Sequence, residues 1–345
     1  MESVEHLIVG AGPAGLRAGQ VLAEHGREVL VAEKRPEIGP KTCAGGLTPK
    51  AVALLRTLGL PVDAGLTRVG RVAFGTAEPV ELDPKLTCIV TLPRRELGCH
   101  QLRWTRAAGA EVRADSAVRE LDLVGRTALV DGKRLRWRHL IGADGSDSAV
   151  RRALGLPHAR ACFAAEYNIP GVRVEPLHVV CDPALAGGYF WVFPHRHYTS
   201  IGAVAEKHAV HPAELRAYVD YRLARLGLSG HDAPFEGATL EIEFRGLHFP
   251  GDVPLAGDAA GVPSSLTAEG IYSALLTGEE VAREIVEPGY ASGRVPRWLR
   301  VKRRHDRFAR LLRRRGARAV ALPLLARIST WSSARGPMAR WFLNG

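Results

Sequence analysis

Residues 6–15 read HLIVGAGPAG, and their surroundings decide the fold. His6 to Val9 read as a buried strand, and Gly10-Ala11-Gly12-Pro13-Ala14-Gly15 follows at once. A helical pattern then carries Leu16, Val21 and Leu22, and a second strand, EVLVAEK, ends near Glu33. Strand, glycine turn, helix, strand and acid, in that order, form the context in which a G-x-G-x-x-G run binds a dinucleotide. Gly10 allows the tight turn, Gly12 lets backbone approach a pyrophosphate, and Gly15 permits close packing of helix on strand. The helix N-terminus offers free N–H groups and partial positive charge to phosphate. Glu33 can accept hydrogen bonds from both ribose hydroxyls and would repel a 2′-phosphate. The site therefore suits FAD or NAD better than NADP.

Two later stretches bear on that choice. Residues 139–145, HLIGADG, read as a short strand ending in Asp144-Gly145. Residues 253–261, VPLAGDAAG, read as another strand ending in Gly257-Asp258, with a helix expected from about Glu269 to Val286. With these motifs the chain resembles the para-hydroxybenzoate hydroxylase-like flavoproteins. The resemblance implies FAD, with Asp258 on the ribityl chain, the following helix aimed at the isoalloxazine, and Asp144-Gly145 near the pyrophosphate. In VTLPRRELGCHQL, Arg94 matches the arginine that opens the family's R-x-x-F/L-D segment, while Gly98 stands where that pattern has Asp. The cofactor contacts expected on this pattern also include Ala14, Lys34, Val118, Gly261, Gly270 and Ile271.

Two further segments narrow the branch. Residues 41–51 read KTCAGGLTPKA, and residues 187–204 read GGYFWVFPHRHYTSIGAV. Together with GDAAG and the helix after it, they resemble the geranylgeranyl reductase family over roughly residues 5 to 285. That family carries a C-x-G-G-type loop and a Y-x-W-x-F-P segment. The resemblance implies a reductase that delivers hydride from reduced FAD to isolated carbon–carbon double bonds of polyprenyl or related lipid-like substrates. It places Cys43 beside the flavin, near the reacting bond, and Gly45 and Gly46 where backbone lies close to the ring. An isolated alkene is a poor hydride acceptor, and a weak acid that protonates its less substituted carbon would help. The Cys43 thiol is a candidate catalytic acid; the bland alternative is a buried small hydrophobe. Ala44 stands where family members often have another glycine.

On their own terms, Tyr189, Trp191 and Phe193 alternate, so on a strand they share one face. They are the expected substrate wall, with Ile201, Ala203 and Ala205 of the next strand beside them. Mostly apolar, aromatic walls suit an isoprenoid. The alternative reading is a flavin monooxygenase or halogenase, because YFWVFP also resembles the W-x-W-x-I-P of flavin halogenases. A non-catalytic flavin scaffold is a third. His195 and His197 show no metal-ligand pattern, and no metal is expected.

The net charge of +11 belongs to the tail. From Arg294 to Gly345 there are 15 Lys or Arg and one acid, Asp306; the remainder carries 32 basic and 35 acidic residues. The body is thus no nucleic-acid binder. Residues 297–315 form a basic amphipathic helix, expected to stop at Gly316, with Pro323 breaking the apolar stretch beyond. Such a tail, 297–345, suits an anionic membrane surface. The five cysteines are scattered without a C-x-x-C pair, which fits a reducing cytoplasm. Neither a leader peptide nor an apolar run of about 18 residues is evident. The expected architecture is α/β. A Rossmann-type FAD-binding domain (1–68, 93–160 and 245–290) is interleaved with an antiparallel substrate sheet (69–92 and 161–244), and a basic helical segment follows (291–345). No second dinucleotide fingerprint is present, so the electron source is an external NAD(P)H or ferredoxin. Oligomeric state is open.

Overall fold

The computed structural model describes residues 2–61, 67–81, 88–157, 160–229 and 233–344. Two sheets carry the fold. The first has six strands in the order Glu111–Arg113, Val29–Ala32, Glu2–Val9, Lys133–Gly142, Thr127–Val130 and Val118–Asp122. Its first four strands are parallel and the last two antiparallel. Val29–Ala32 and the C-terminal ends of the central strands, Leu7–Val9 and Leu140–Ile141, run apolar and buried, as strands covered on both faces do. The helix Pro13–Glu24 packs on Glu2–Val9 and Val29–Ala32, and Arg94–Ala107 and Ile271–Val286 pack against that helix. Leu7, Ile8, Val31 and Leu140 are fully buried between them. This is the doubly wound unit expected from the glycine turn.

The second sheet has seven strands, in the order Phe235–Glu241, Ala161–Pro170, Tyr198–Glu206, Tyr189–Pro194, His178–Cys181, Arg71–Phe74 and Val80–Glu81. Every neighbouring pair is antiparallel except His178–Cys181 with Arg71–Phe74. One face is closed by the helix Pro212–Arg225, whose Leu215, Val219 and Leu223 pack against Phe190, Val192 and Ile201. The opposite face is left to the cleft. Cys88–Thr91 belongs to neither large sheet. It pairs with Gly46–Leu47 and Thr67–Val69 in a small three-stranded sheet between them.

Two expectations are corrected here. Ile201 and Ala203 pair with Val192 and Phe190, so they lie in the core under the helix. Val204, the partner of Tyr189, lines the cleft instead. The basic helix spans Arg294–Arg313, and Gly316 does not end it; extended backbone at Arg314 does. Gly316 sits in the first turn of the next helix, Arg315–Ser329, which runs through Pro323. Proline removes one ladder hydrogen bond, and packing against the preceding helix around the buried Leu322 holds the segment helical regardless.

Candidate functional site

A cleft of about 600 Å³ runs from the glycine turn to the aromatic strand. At its nucleotide end, Gly10 has φ +99°, and a Cβ there would meet the carbonyl of Ala143. A Cβ on Gly15 would overlap the carbonyl of Gly10. Neither glycine lines the cleft; they allow the turn and the helix to fit. Gly12 and Ala14 do line it. The helix Pro13–Glu24 has no side-chain cap and no acid in its first turn, so its orphan amides are open to an anion. The Glu33 carboxylate accepts from Ala11 N at 2.8 Å and Arg35 N at 3.0 Å, fixed at the rim beside Lys34.

Asp144 turns away from this role in part. Its oxygens accept from Ser148 Oγ at 2.5 Å and from the amides of Ala149 and Val150. It caps a short helix, and burial raises its pKa. Asp258 faces the cleft and accepts from Lys41 Nζ at 2.7 Å. Gly257, Gly270 and Ile271 line the cleft beside it. The helix Ile271–Val286 begins there, again without a side-chain cap or first-turn acid. Gly261 faces Glu243 backbone, and Val118 lies at the sheet edge; neither lines the cleft. Arg94 does, and its Nε is buried without a hydrogen-bond partner. Two uncapped helix starts, a rim carboxylate and an orphaned guanidinium nitrogen fit a dinucleotide with an extended polar linker. Gly98, the departure from the family's Asp, also has a physical reason: a Cβ there would overlap Gly39 Cα.

The loop 41–47 crosses between the two halves. Cys43 and Gly46 line the cleft. The Cys43 amide donates to Glu166 Oε1 at 2.8 Å, and Gly45 N donates to Cys43 Sγ at 3.5 Å. His195 Nε2 lies 2.8 Å from the Ala44 carbonyl, its ring stacked on Tyr198 at 4.3 Å. Gly45, at φ +71°, leaves room for that imidazole, and Gly46 leaves room for Phe193. The two glycines thus seat the loop on the seven-stranded sheet. Glu166 is 1 % exposed, and its other oxygen accepts from Ser200 Oγ at 2.6 Å. Ser200 Oγ accepts in turn from Trp191 Nε1 at 2.8 Å. Burial is the main influence on the Glu166 carboxyl and raises its pKa.

Tyr189, Trp191 and Phe193 wall the apolar end, with Val204, Leu266 and Phe342. The Tyr189 hydroxyl donates to the Thr267 carbonyl at 2.7 Å, and burial pushes its pKa up. That end therefore offers carbon surface. Nearby, Glu269 accepts from Thr48 Oγ1 at 2.5 Å and pairs with Lys50 at 2.9 Å; burial raises its pKa. Glu166, Lys41 and Glu269 were not singled out from the sequence, and His195 was considered there only as a metal ligand and given no role. Among the described residues no cluster of His, Cys, Asp or Glu could hold a metal, and no helix is long and apolar enough to cross a membrane.

Comparison with known proteins agrees with this geometry. A family model described as FAD binding domain matches residues 3–222. Digeranylgeranylglycerophospholipid reductase 1 of Methanopyrus kandleri is 31 % identical, over 81 % of this chain and 80 % of that protein. Menaquinone reductase of Mycobacterium tuberculosis is 29 % identical, over 83 % and 77 %. A geranylgeranyl bacteriochlorophyll reductase-like protein of Thermoplasma acidophilum superposes with a TM-score of 0.76 at 21 % identity, covering 99 % of this chain and 97 % of that one. The same fold carries p-nitrophenol 4-monooxygenase of Pseudomonas putida, with a TM-score of 0.73 at 20 % identity, over 100 % and 99 %.

Proposed function

The chain belongs to the FAD-binding-domain oxidoreductases and, within them, to the geranylgeranyl reductase family, and on that premise we propose that it reduces carbon–carbon double bonds of a polyprenyl or similar lipid-like substrate. One observation carries the reading: Cys43 lines the same cleft as the glycine turn and the Tyr189-Trp191-Phe193 wall. FAD, once reduced, would supply the hydride.

The residues of the chain do the rest. The amides at the start of Pro13–Glu24 and the Glu33 carboxylate would hold the dinucleotide. Lys41, Asp258 and Arg94, whose Nε is unpartnered, line the same cleft and would contact its polar groups. The aromatic wall orients the alkene and excludes water. Its polar atoms are already used, on Thr267 and Ser200, so it offers the chain apolar contact alone. The Cys43 thiol is placed to give a proton to the less substituted alkene carbon, leaving the more substituted carbon as the hydride acceptor. The amide of Gly45 lies against the sulfur and stabilises the thiolate left behind. Glu166 and His195 position this loop and touch no reacting atom. The six-stranded sheet and its helices form the cofactor domain and the seven-stranded sheet the substrate domain. Electrons come from a nicotinamide or a ferredoxin, and residues 297–345 bring the enzyme to the inner face of an anionic membrane.

The test is anaerobic. Photoreduced holoprotein is mixed with a polyprenyl phospholipid or a menaquinone, and flavin absorbance and product mass are followed. Reoxidation with a gain of two hydrogens per bond is expected, slowed at least tenfold in Cys43→Ser with FAD retained. Absence of anaerobic turnover, with an oxygenated product formed in air, would instead support the monooxygenase reading.

A further inference from the structure

A second cleft, of about 800 Å³, lies beside the first and shares Tyr272 with it. Its floor is Trp298, Tyr272 and Lys50: the two rings meet edge to face at 5.8 Å, and Lys50 Nζ sits 4.4 Å over the indole. Its rim is arginine. Arg297, Arg300, Arg304 and Arg307 follow at spacings of three, four and three along the helix Arg294–Arg313, so they share one face. Arg303 flanks them.

All five are exposed, and none pairs with a carboxylate among the described residues. Neighbouring acids are already committed: Glu269 to Lys50, Glu279 to Arg17 and Arg294, and Asp306 to Lys302 and Ser265. Like charges at these spacings repel and weaken a helix. The stripe holds because the adjoining face of the helix, with Trp298, Val301, His305 and Leu312, is packed into the body. A phosphate group would relieve that repulsion, since the planar guanidinium fork matches its oxygens. The source of the phosphate is indicated by a separate observation. Of the seven large exposed apolar residues, Leu311, Val320, Leu324 and Trp331 all fall just after the stripe. Apolar side chains following a cationic face suit a lipid surface.

We propose that this arginine cleft is a binding site for the phosphate headgroup of a lipid. The inference deepens the reading of a lipid-like substrate and rests on it, but its test uses no turnover. Holoprotein is titrated with inorganic pyrophosphate by calorimetry, and with vesicles of phosphatidylglycerol or phosphatidylcholine by sedimentation. Arg300→Glu/Arg304→Glu is compared with an equally charge-changing control at exposed sites elsewhere, Arg119→Glu/Arg225→Glu. Expected are pyrophosphate binding and phosphatidylglycerol partitioning weakened at least tenfold in the first pair only, with FAD content and unfolding midpoint unchanged. Equal losses in both pairs, or no pyrophosphate binding by the wild type, would overturn the site. Pyrophosphate binding without preference for phosphatidylglycerol over phosphatidylcholine would overturn the lipid assignment. Turnover on detergent-dispersed substrate, measured separately, reports on the reductase reading alone.

Discussion

Replacing Glu166 by Ala tests what holds the cysteine loop. The carboxylate accepts the Cys43 amide at 2.8 Å and the Ser200 hydroxyl at 2.6 Å, inside the protein. Truncation leaves the Cys43 N–H buried without its acceptor, a loss of about 1–3 kcal/mol. The Ser200 bond contributes about 1 kcal/mol more, so a total of about 2–4 kcal/mol is expected. Part of it falls on the segment 43–45, which Glu166 holds at Cys43 and His195 holds at Ala44. Two assays separate local from global effects. Urea denaturation gives the total. Alkylation of Cys43 in a Cys99→Ser background, which removes the exposed thiol, reports loop release and should quicken at least fivefold. Glu166→Gln keeps the shape and one acceptor; its amide can donate to Ser200 Oγ, so loop and alkylation rate should stay near wild type. If Glu166→Ala loses stability but leaves Cys43 alkylation and turnover unaltered, the carboxylate does not position the loop.

Other outcomes follow from single contacts. Gly98→Asp, which restores the residue of the related pattern, should clash with Gly39 and lower both FAD content and unfolding midpoint; a fully loaded, equally stable variant would contradict the packing account. Burial raises the Glu166 pKa above the ordinary 4.5. The resulting stability is therefore present below that value and lost as pH rises through the folded one. Glu166→Gln cannot ionise, so it should gain on wild type in urea midpoint as pH rises above 4.5, and a pH-independent difference would refute this. Phe342 lines the apolar end of the cleft, so Phe342→Ala should shift the preferred substrate toward longer or bulkier chains, read as kcat/KM across a prenyl series; an unchanged ranking would place the end of the substrate elsewhere.

The parts legible in the sequence are those whose signal is local. The glycine turn, the acid at Glu33 and the GD pair at 257–258 each occupy one short stretch, and the alternation at Tyr189, Trp191 and Phe193 reads directly as a strand face. Other features depend on partners far along the chain. Cys43 meets Glu166 across 123 residues, Ala44 meets His195 across 151, and Lys41 meets Asp258 across 217. No spacing rule announces such pairs. The misassigned face of Ile201 and Ala203 has the same origin: alternation gives two faces, while cross-strand register decides which one is covered. Pro323 misled because tertiary packing outweighed an intrinsic preference.

The seven-stranded sheet takes its strands from 71–81 and again from 161–241, with much of the other sheet threaded between. No single cut therefore separates the unit of the six-stranded sheet from that of the seven-stranded one. Exchange of specificity between relatives needs both pieces grafted together, and the seam runs through the cysteine loop. A chimera joined at one point would inherit mismatched anchors for that thiol, however well each fragment folds elsewhere.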